Sequence, residues 1–503
     1  MLGESGDDLH ISVSYVEKKR IASMTVPAMT GSTPAIADAT STRPSTTPHS
    51  GRRWMLGLIV IFVTQLMLVI DGSIVNVALP AIQAELGFTD TSLSWVVTAY
   101  ALAFAGLILL SGRIGSMIGT KRALIIGTAV FIVASALGGF AFTGELLIVS
   151  RVLQGIGAAI AAPSTLVLLM KNTTPGRQRA RVMSLFVIAA GSGGAIGLVL
   201  GGILTTSFGW EWVMFVNVPV GLVIIAGAWA FLDETDRLPA KLDIGGAIAS
   251  TIGMIALIFG FTTAASDGWT HPLVVGSFLV ALFALSALLI IERRHLAPVV
   301  PLGLLSTARR AAPFGAMLMV PAAMFGFFYF VNLFTQNVLH YDPLGTGLAL
   351  LPFVGAMLVT NQFSPALLPR LGEKVFLIVG LSSIVVGLLW LGQLNEGSTF
   401  VSGILFPTLI MGFGAGITFA PLTSIILDQA PADDVGSSAS LLQAAQQLGG
   451  SIGVAVLTTV FVGVSAASGA ATGTATALLF GAAFAAVALV LVAIWARRIP
   501  VIR

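Results

Sequence analysis

The stretch LMLVIDGSIVNVALPAI, residues 66–82, places a carboxylate, Asp71, and an amide, Asn76, within an apolar run of membrane length. A charge in hydrocarbon is expensive and is kept where it faces a polar cavity or a partner. Asp71 is therefore the first candidate functional residue, and the rest of the chain must supply what it faces. Of the 503 residues 56% are hydrophobic and 9% charged, with mean hydropathy +0.97, whereas a soluble chain is roughly a quarter charged. The composition is that of an all-α polytopic membrane protein. With no Cys in the chain, disulfides, thiolate nucleophiles and Cys metal sites are excluded.

Residues 1–53 are a separate compositional unit. MTGSTPAIADATSTRPSTTPHSG, residues 29–51, is rich in Ser, Thr, Pro and Ala without an apolar period, and predicts a disordered cytoplasmic tail. It lacks the basic, apolar and small-residue blocks of a secretory signal, so the first membrane helix is expected to direct its own insertion. Lys18, Lys19 and Arg20 are solvated in the plainer reading and touch anionic lipid in the other.

From Trp54 onward apolar runs recur at membrane length, near 54–80, 93–112, 123–142, 146–170, 182–206, 213–232, 244–264, 272–291, 312–334, 345–367, 375–392, 400–426, 437–464 and 473–495. Each needs about 20 residues to span, and the runs predict fourteen helices. Charge tests the count. With both termini cytoplasmic, the inner loops and tails hold Arg113, Lys121, Arg122, Lys171, Arg177, Arg179, Arg181, Arg237, Lys241, Arg293, Arg294, Arg309, Arg310, Arg370, Lys374, Arg497, Arg498 and Arg503, besides six basic residues before Trp54. The other loops carry Glu85, Asp90, Glu211, Asp267, Asp342 and Glu396 with no Lys or Arg. This is the positive-inside pattern, and an odd number of helices would destroy it. Of the 25 Lys and Arg, only Arg151 remains within a helix.

Gly193, Gly197 and Gly201, at four-residue spacing, make a smooth face on the fifth helix. Static packing and a moving interface between two halves both need that smoothness. The loop GRIGSMIGTKR, residues 112–122, is echoed by LLPRLGEKV, residues 367–375. Repeated Gly and basic residues in a tight inner turn fit six helices, an inserted pair and six more. The expected units are 54–232, 244–291 and 312–495, with a cytoplasmic tail at 496–503.

Several stretches together resemble one family. LVIDGSIVNVALP (68–80), SWVVTAYALAFAGLILLSGRIGSMIGTKR (94–122), RVLQGIGAAIAAP (151–163), GWEWVMFVNVPVG (209–221) and GSSASLLQAAQQLGGSIGVAV (436–456) are similar to the motifs of the fourteen-helix drug:proton antiporter group of the major facilitator superfamily. The resemblance covers about residues 54–495 and implies a 6+2+6 transporter fold in a bacterial cytoplasmic membrane, acting as a monomer. Gly112, Arg113, Ser116, Gly119, Lys121 and Arg122 fall on the group's inner gating loop. Four positions depart from its pattern. Ser116 replaces an Asp that latches the two halves in relatives, and Thr120 replaces a basic residue. Leu198 replaces the Pro of a Gly-Pro pair, and Glu211 an Arg.

The resemblance makes helices one and four neighbours, and counting from the helix ends at about 1.5 Å per residue puts Asp71 and Arg151 at similar depth. A bundle-facing pair or network follows, acting either as a proton-coupling site or as a permanent structural ion pair. Coupled export would load and discharge a proton on Asp71 as Arg151 or water moves, in competition with a cationic substrate. Asn76, Gln154, Tyr329, Asn332, Gln336, Gln443, Gln446 and Gln447 are further candidates for the substrate cavity, each of which also serves as an ordinary satisfied polar group. The Phe-rich MFGFFYFVNLF, residues 324–334, suits an aromatic substrate or a lipid-facing stripe. Asp243 reads as a helix cap.

No GxxxxGK[ST] loop is present to couple ATP. GFGAGI, residues 412–417, lies in an apolar helix without a preceding strand and reads as packing. The five His are dispersed, so no metal or cofactor is expected, and no basic-aromatic tract points to nucleic acid. The expected partners are protons, membrane lipids and hydrophobic or cationic small molecules. Three functions remain: drug efflux, export of an endogenous lipid or metabolite, and a sensor or scaffold that has lost transport.

Overall fold

The computed structural model describes residues 51–235, 237, 243–293, 298–341 and 343–497. The expected N-terminal tail lies outside these residues as far as Ser50, as does most of the C-terminal one. Among the described residues there is no β-strand. The membrane-length helices are α1 (Arg52–Leu86), α2 (Trp95–Ile118), α3 (Thr120–Gly139), α4 (Gly144–Lys171), α5 (Arg177–Phe208) and α6 (Asn217–Phe231, after a short helix Glu211–Phe215). Next come α7 (Ile244–Asp267), α8 (Pro272–Glu292) and α9 (Ala308–Asn337). Leu351–Leu391 is broken at Gly372, φ 77°, into α10 and α11. Phe406–Asp428 is α12, entered through a π-helical turn at Phe400–Leu405. Val435–Arg497 is broken at Gly469, φ 85°, into α13 and α14.

The two breaks follow from length. At 1.5 Å per residue, helices of 41 and 63 residues would run about 60 and 95 Å, against a hydrocarbon core of about 30 Å. Each is two passes, and glycine takes the positive φ at the turn without a Cβ clash. Fourteen apolar helices result among the described residues.

In lipid, helices gain nothing from hiding apolar surface from one another, so close packing has to hold them. The second half of the chain shows how. A Cβ on Gly449 of α13 would stand 2.0 Å from the Leu318 carbonyl oxygen of α9, and one on Gly453 would stand 2.1 Å from that of Ala322. The two backbones thus touch along a turn, and Phe327, Phe330 and Phe334 fill the adjoining core. The GFGAGI stretch packs likewise, with Gly412 against the Phe353 carbonyl of α10 and Gly414 against that of Gly380 of α11. α7 lies against both α2 and α13, with Trp95 stacked on Phe259 at 6.3 Å and Trp269 Nε1 donating to Thr459 Oγ1 at 2.6 Å. The Asp243 carboxylate accepts from the Gly246 backbone N–H at 2.8 Å and caps α7.

The backbone contact generates a prediction. Gly453→Val should lower stability by about 1–3 kcal/mol through overpacking, whereas Gly202→Ala, at a position with nothing within 4 Å of the new Cβ, should be neutral. Thermal midpoints of the purified proteins decide; equal midpoints would refute the contact.

Candidate functional site

The buried face of α1 runs through Thr64, Met67, Leu68, Asp71, Ile74, Val75 and Ala78, the three-and-four spacing of one helical face. Asp71 therefore points among its own bundle's helices and is 0% exposed. Arg151 and Gln154, three apart on α4 and so on one face, are 1% and 0% exposed. Arg151 Nη1 donates to Asp71 Oδ2 at 2.8 Å and to Gln154 Oε1 at 2.8 Å. Asp71 Oδ1 accepts from Asn217 Nδ2 of α6 at 2.9 Å and from Gln154 Nε2 at 3.2 Å. Gln154 Nε2 also donates to Ser135 Oγ of α3 at 2.6 Å, and Arg151 Nε to the Val96 carbonyl of α2 at 3.0 Å. The guanidinium carbon stands 4.5 Å from the Tyr100 ring centroid, a desolvated cation–π contact. Five helices, α1, α2, α3, α4 and α6, meet at this network. Asn217 is held at the start of α6 by the turn before it, where Trp210 Nε1 donates to Glu85 Oε2 at 2.9 Å near the end of α1.

Asn217, Ser135 and Tyr100 were not singled out by sequence reasoning, although Asn217 lies in the quoted 209–221 stretch and Tyr100 in 94–122. Gln154, expected in the substrate cavity, is a member of the charge network. Asn76 is exposed, its Nδ2 donating to the Gly72 carbonyl at 3.0 Å. On α9, Gln336 Nε2 donates to Asn332 Oδ1 at 3.0 Å, and Tyr329 is exposed with Phe325 and Phe328. On α13, Gln443, Gln446 and Gln447 are half-buried, and Gln446 Nε2 lies 3.4 Å from Met317 Sδ. These residues form no cluster with Asp71. Asn361 of α10 adds an unexpected polar group, 1% exposed with neither amide atom partnered.

The gating candidates separate into two sets. Gly193, Gly197 and Gly201 face α1, against Val69, Ser73 and Ile74 of the same bundle. The other half is met one face away, where Gly191 abuts Met357 of α10. In the inner loop, Glu234 beyond α6 accepts from the backbone N–H groups of Lys121 at 2.9 Å and Arg122 at 3.2 Å. Its carboxylate also fills the space beside Gly119, φ 101°. Lys121 Nζ donates to the carbonyls of Trp229 and Leu232 at 2.9 and 2.8 Å. These bonds tie α3 to the end of α6 within one bundle. Ser116 Oγ donates to its own helix, at the Arg113 carbonyl. Arg113 is buried with Nε unpartnered. Gly112 meets the other half directly, since its Cβ would stand 2.3 Å from the Gly436 carbonyl oxygen at the start of α13, and Arg113 interacts electrostatically with Asp434 of that half.

Comparison with known proteins agrees with this architecture. The sequence model of the Major Facilitator Superfamily matches residues 61–454. The puromycin resistance protein of Streptomyces alboniger is 34% identical over 420 residues, 83% of each chain. The uncharacterised MFS-type transporter EfpA of Mycobacterium tuberculosis is 35% identical over 432 residues, 85% of this chain and 81% of that one. The cephamycin export protein CmcT of Amycolatopsis lactamdurans is 33% identical over 80% of this chain and 84% of its own. The crystal structure of the human organic anion transporter MFSD10 superposes with a TM-score of 0.63, covering 88% of this chain and 100% of that one at 14% identity. With the family's own pattern matched across 61–454 and its relatives aligned over four-fifths of the chain, this protein belongs to the Major Facilitator Superfamily and is a membrane transporter, not an enzyme.

Proposed function

We propose that this chain is a proton-coupled exporter of the fourteen-helix drug:proton antiporter group, moving amphiphilic or cationic molecules outward across a bacterial cytoplasmic membrane by alternating access. Its relatives include proteins named for puromycin resistance and cephamycin export, which supports efflux as the task. Both termini and the basic loops lie in the cytoplasm, in keeping with the positive-inside distribution.

The observation that carries the coupling is the fallback set around Arg151. An ionised Asp71 accepts from Arg151, Gln154 and Asn217. A proton on Asp71 turns one of its acceptor sites into a donor and displaces at least one of these groups. Arg151 then still has the Val96 carbonyl, Gln154 Oε1 and the Tyr100 face, so the guanidinium is not left bare in the low-dielectric interior. A static pair would use the same acceptors, so it is transport, and not the geometry alone, that separates the two roles. Because Asp71 is fully buried here, substrate senses its charge through the geometry of the network and not by direct contact in this state. The exposed aromatic face of Phe325, Phe328 and Tyr329 on α9 suits an amphiphile, and an endogenous lipid or metabolite is the second cargo it fits.

Three outcomes test this reading. In proteoliposomes, Asp71→Asn should abolish export driven by an imposed pH gradient while leaving the protein folded; uphill accumulation at near wild-type rate would make Asp71 structural and the coupling acid another group. Arg151→Ala should cost about 3–5 kcal/mol, since it strands a buried acid, and Asp71→Asn combined with Arg151→Gln should recover the thermal midpoint but not pumping. For orientation, Glu396→Cys should react with an impermeant maleimide on intact cells, and Pro175→Cys only after the membrane is opened; the reverse order would invert the topology.

A further inference from the structure

The inserted pair α7–α8 lies at one flank of the seam between the halves, with α7 against both α2 and α13. Its two attachments differ in kind. Toward α2 the contacts are apolar. Trp95 stacks on Phe259 at 6.3 Å, and a Cβ on Gly106 would stand 2.6 Å from Ile255 Cγ1 and 3.5 Å from Thr251 Cγ2. The hydroxyls of Ser250 and Ser266 donate within α7 itself, and among the described residues no hydrogen bond joins α7 to α2. In a bilayer such surfaces gain little over lipid tails, so parting them forfeits only the fit.

Toward the second half the pair is bonded at both ends. At the end remote from the basic loops, Trp269 in the α7–α8 turn stacks on Phe278 at 6.1 Å and stands edge-on to Phe261 at 6.1 Å, which fixes the indole on the pair. Its Nε1 donates to Thr459 Oγ1 of α13 at 2.6 Å, while that hydroxyl donates in turn to the Ala455 carbonyl at 2.9 Å. The indole is a donor only, and its one hydrogen bond is spent on the second half. At the basic end the connection from α8 to α9 is folded. Glu292 Oε1, at the last residue of α8, accepts from the Val300 backbone N–H at 2.9 Å. Leu302–Leu304 forms a tight helical turn, and Arg310 Nη1 of α9 donates to the Gly303 carbonyl at 3.0 Å. Connecting segments normally run over the surface, yet Val299 and Val300 are buried, in one apolar cluster with Leu109 of α2, Met254 of α7 and Ala444 of α13. A bonded strut thus fixes the foot of α8 to α9.

We propose that the inserted pair travels with the second half, so that the surface which parts on this flank is α2 against α7, opening between Gly106 and Ile255. This rests on the alternating-access reading, but its test needs no substrate and carries its own measure of whether the halves move. The chain has no Cys, so pairs of spin labels can be placed on the full-length protein in lipid nanodiscs. Phe142→Cys marks the first half, Ser266→Cys marks α7 and Ala467→Cys marks α13, all three at exposed positions. Double electron–electron resonance at acid and alkaline pH, with and without Asp71→Asn, reads the three distances. The Ser266/Ala467 distance should keep one maximum to within about 2 Å, the size of ordinary helix shifts at an interface. The Phe142/Ser266 distance should instead change whenever the Phe142/Ala467 distance does. Trp269→Phe, which keeps a ring and removes the hydrogen bond, should broaden the Ser266/Ala467 distribution. A constant Phe142/Ser266 distance beside a moving Ser266/Ala467 distance would overturn the proposal, and so would movement in both. A Phe142/Ala467 distance fixed under every condition would count against alternating access itself, and the proposal would fall with it.

Discussion

A carboxylate and a guanidinium without water must satisfy every donor and acceptor from the protein itself, and the meeting of α1, α2, α3, α4 and α6 follows from that demand. Asp71 needs donors on both oxygens, and they come from α4 and α6. Arg151 then needs acceptors beyond Asp71, and these come from α2 and from its own helix. Because the desolvation cost of an unmatched charge is several kcal/mol, the helices that supply partners have little freedom of position. The network therefore sets where the helices of this bundle meet as well as offering a site for chemistry.

The second half of the chain relies on close backbone packing, which the first half uses too where Gly155 meets the Tyr100 carbonyl and Gly127 that of Gly157. Its closest contacts are glycines against carbonyl oxygens, α13 on α9 and α12 on α10 and α11, around buried Phe side chains. Such contacts depend on shape and change little with charge.

Much of this was legible in the sequence because membranes impose few alternatives. Helix count came from run length and loop charge, and the relation of Asp71 to Arg151 from depth along two helices that the family resemblance makes neighbours. Asp243 was legible as a cap because it stands just before an apolar run. What sequence could not give was which face meets which neighbour. The glycine spacing of Gly193, Gly197 and Gly201 fits any partner equally well, and the structure assigns it to α1. Ser135 gave no signal, since a serine in a membrane helix usually bonds its own backbone. Asn217 stood in a quoted motif, but its role depends on a turn that swings the start of α6 toward α1. Arg179 Nη1 donates to Asp428 Oδ1, yet the two looked like ordinary inner charges, because nothing local relates residues 249 apart.

The placement of α7 has a mechanical consequence. Because this one helix lies against both α2 and α13, it straps that edge of the seam, and the halves cannot part there without α7 leaving one of them. The opposite edge, where Gly191 of α5 meets Met357 of α10, carries no such strap. Among the described residues the seam is therefore bridged by a third helix on one flank and closed by direct contact of α5 with α10 on the other, so the two flanks would not yield alike if the halves moved apart.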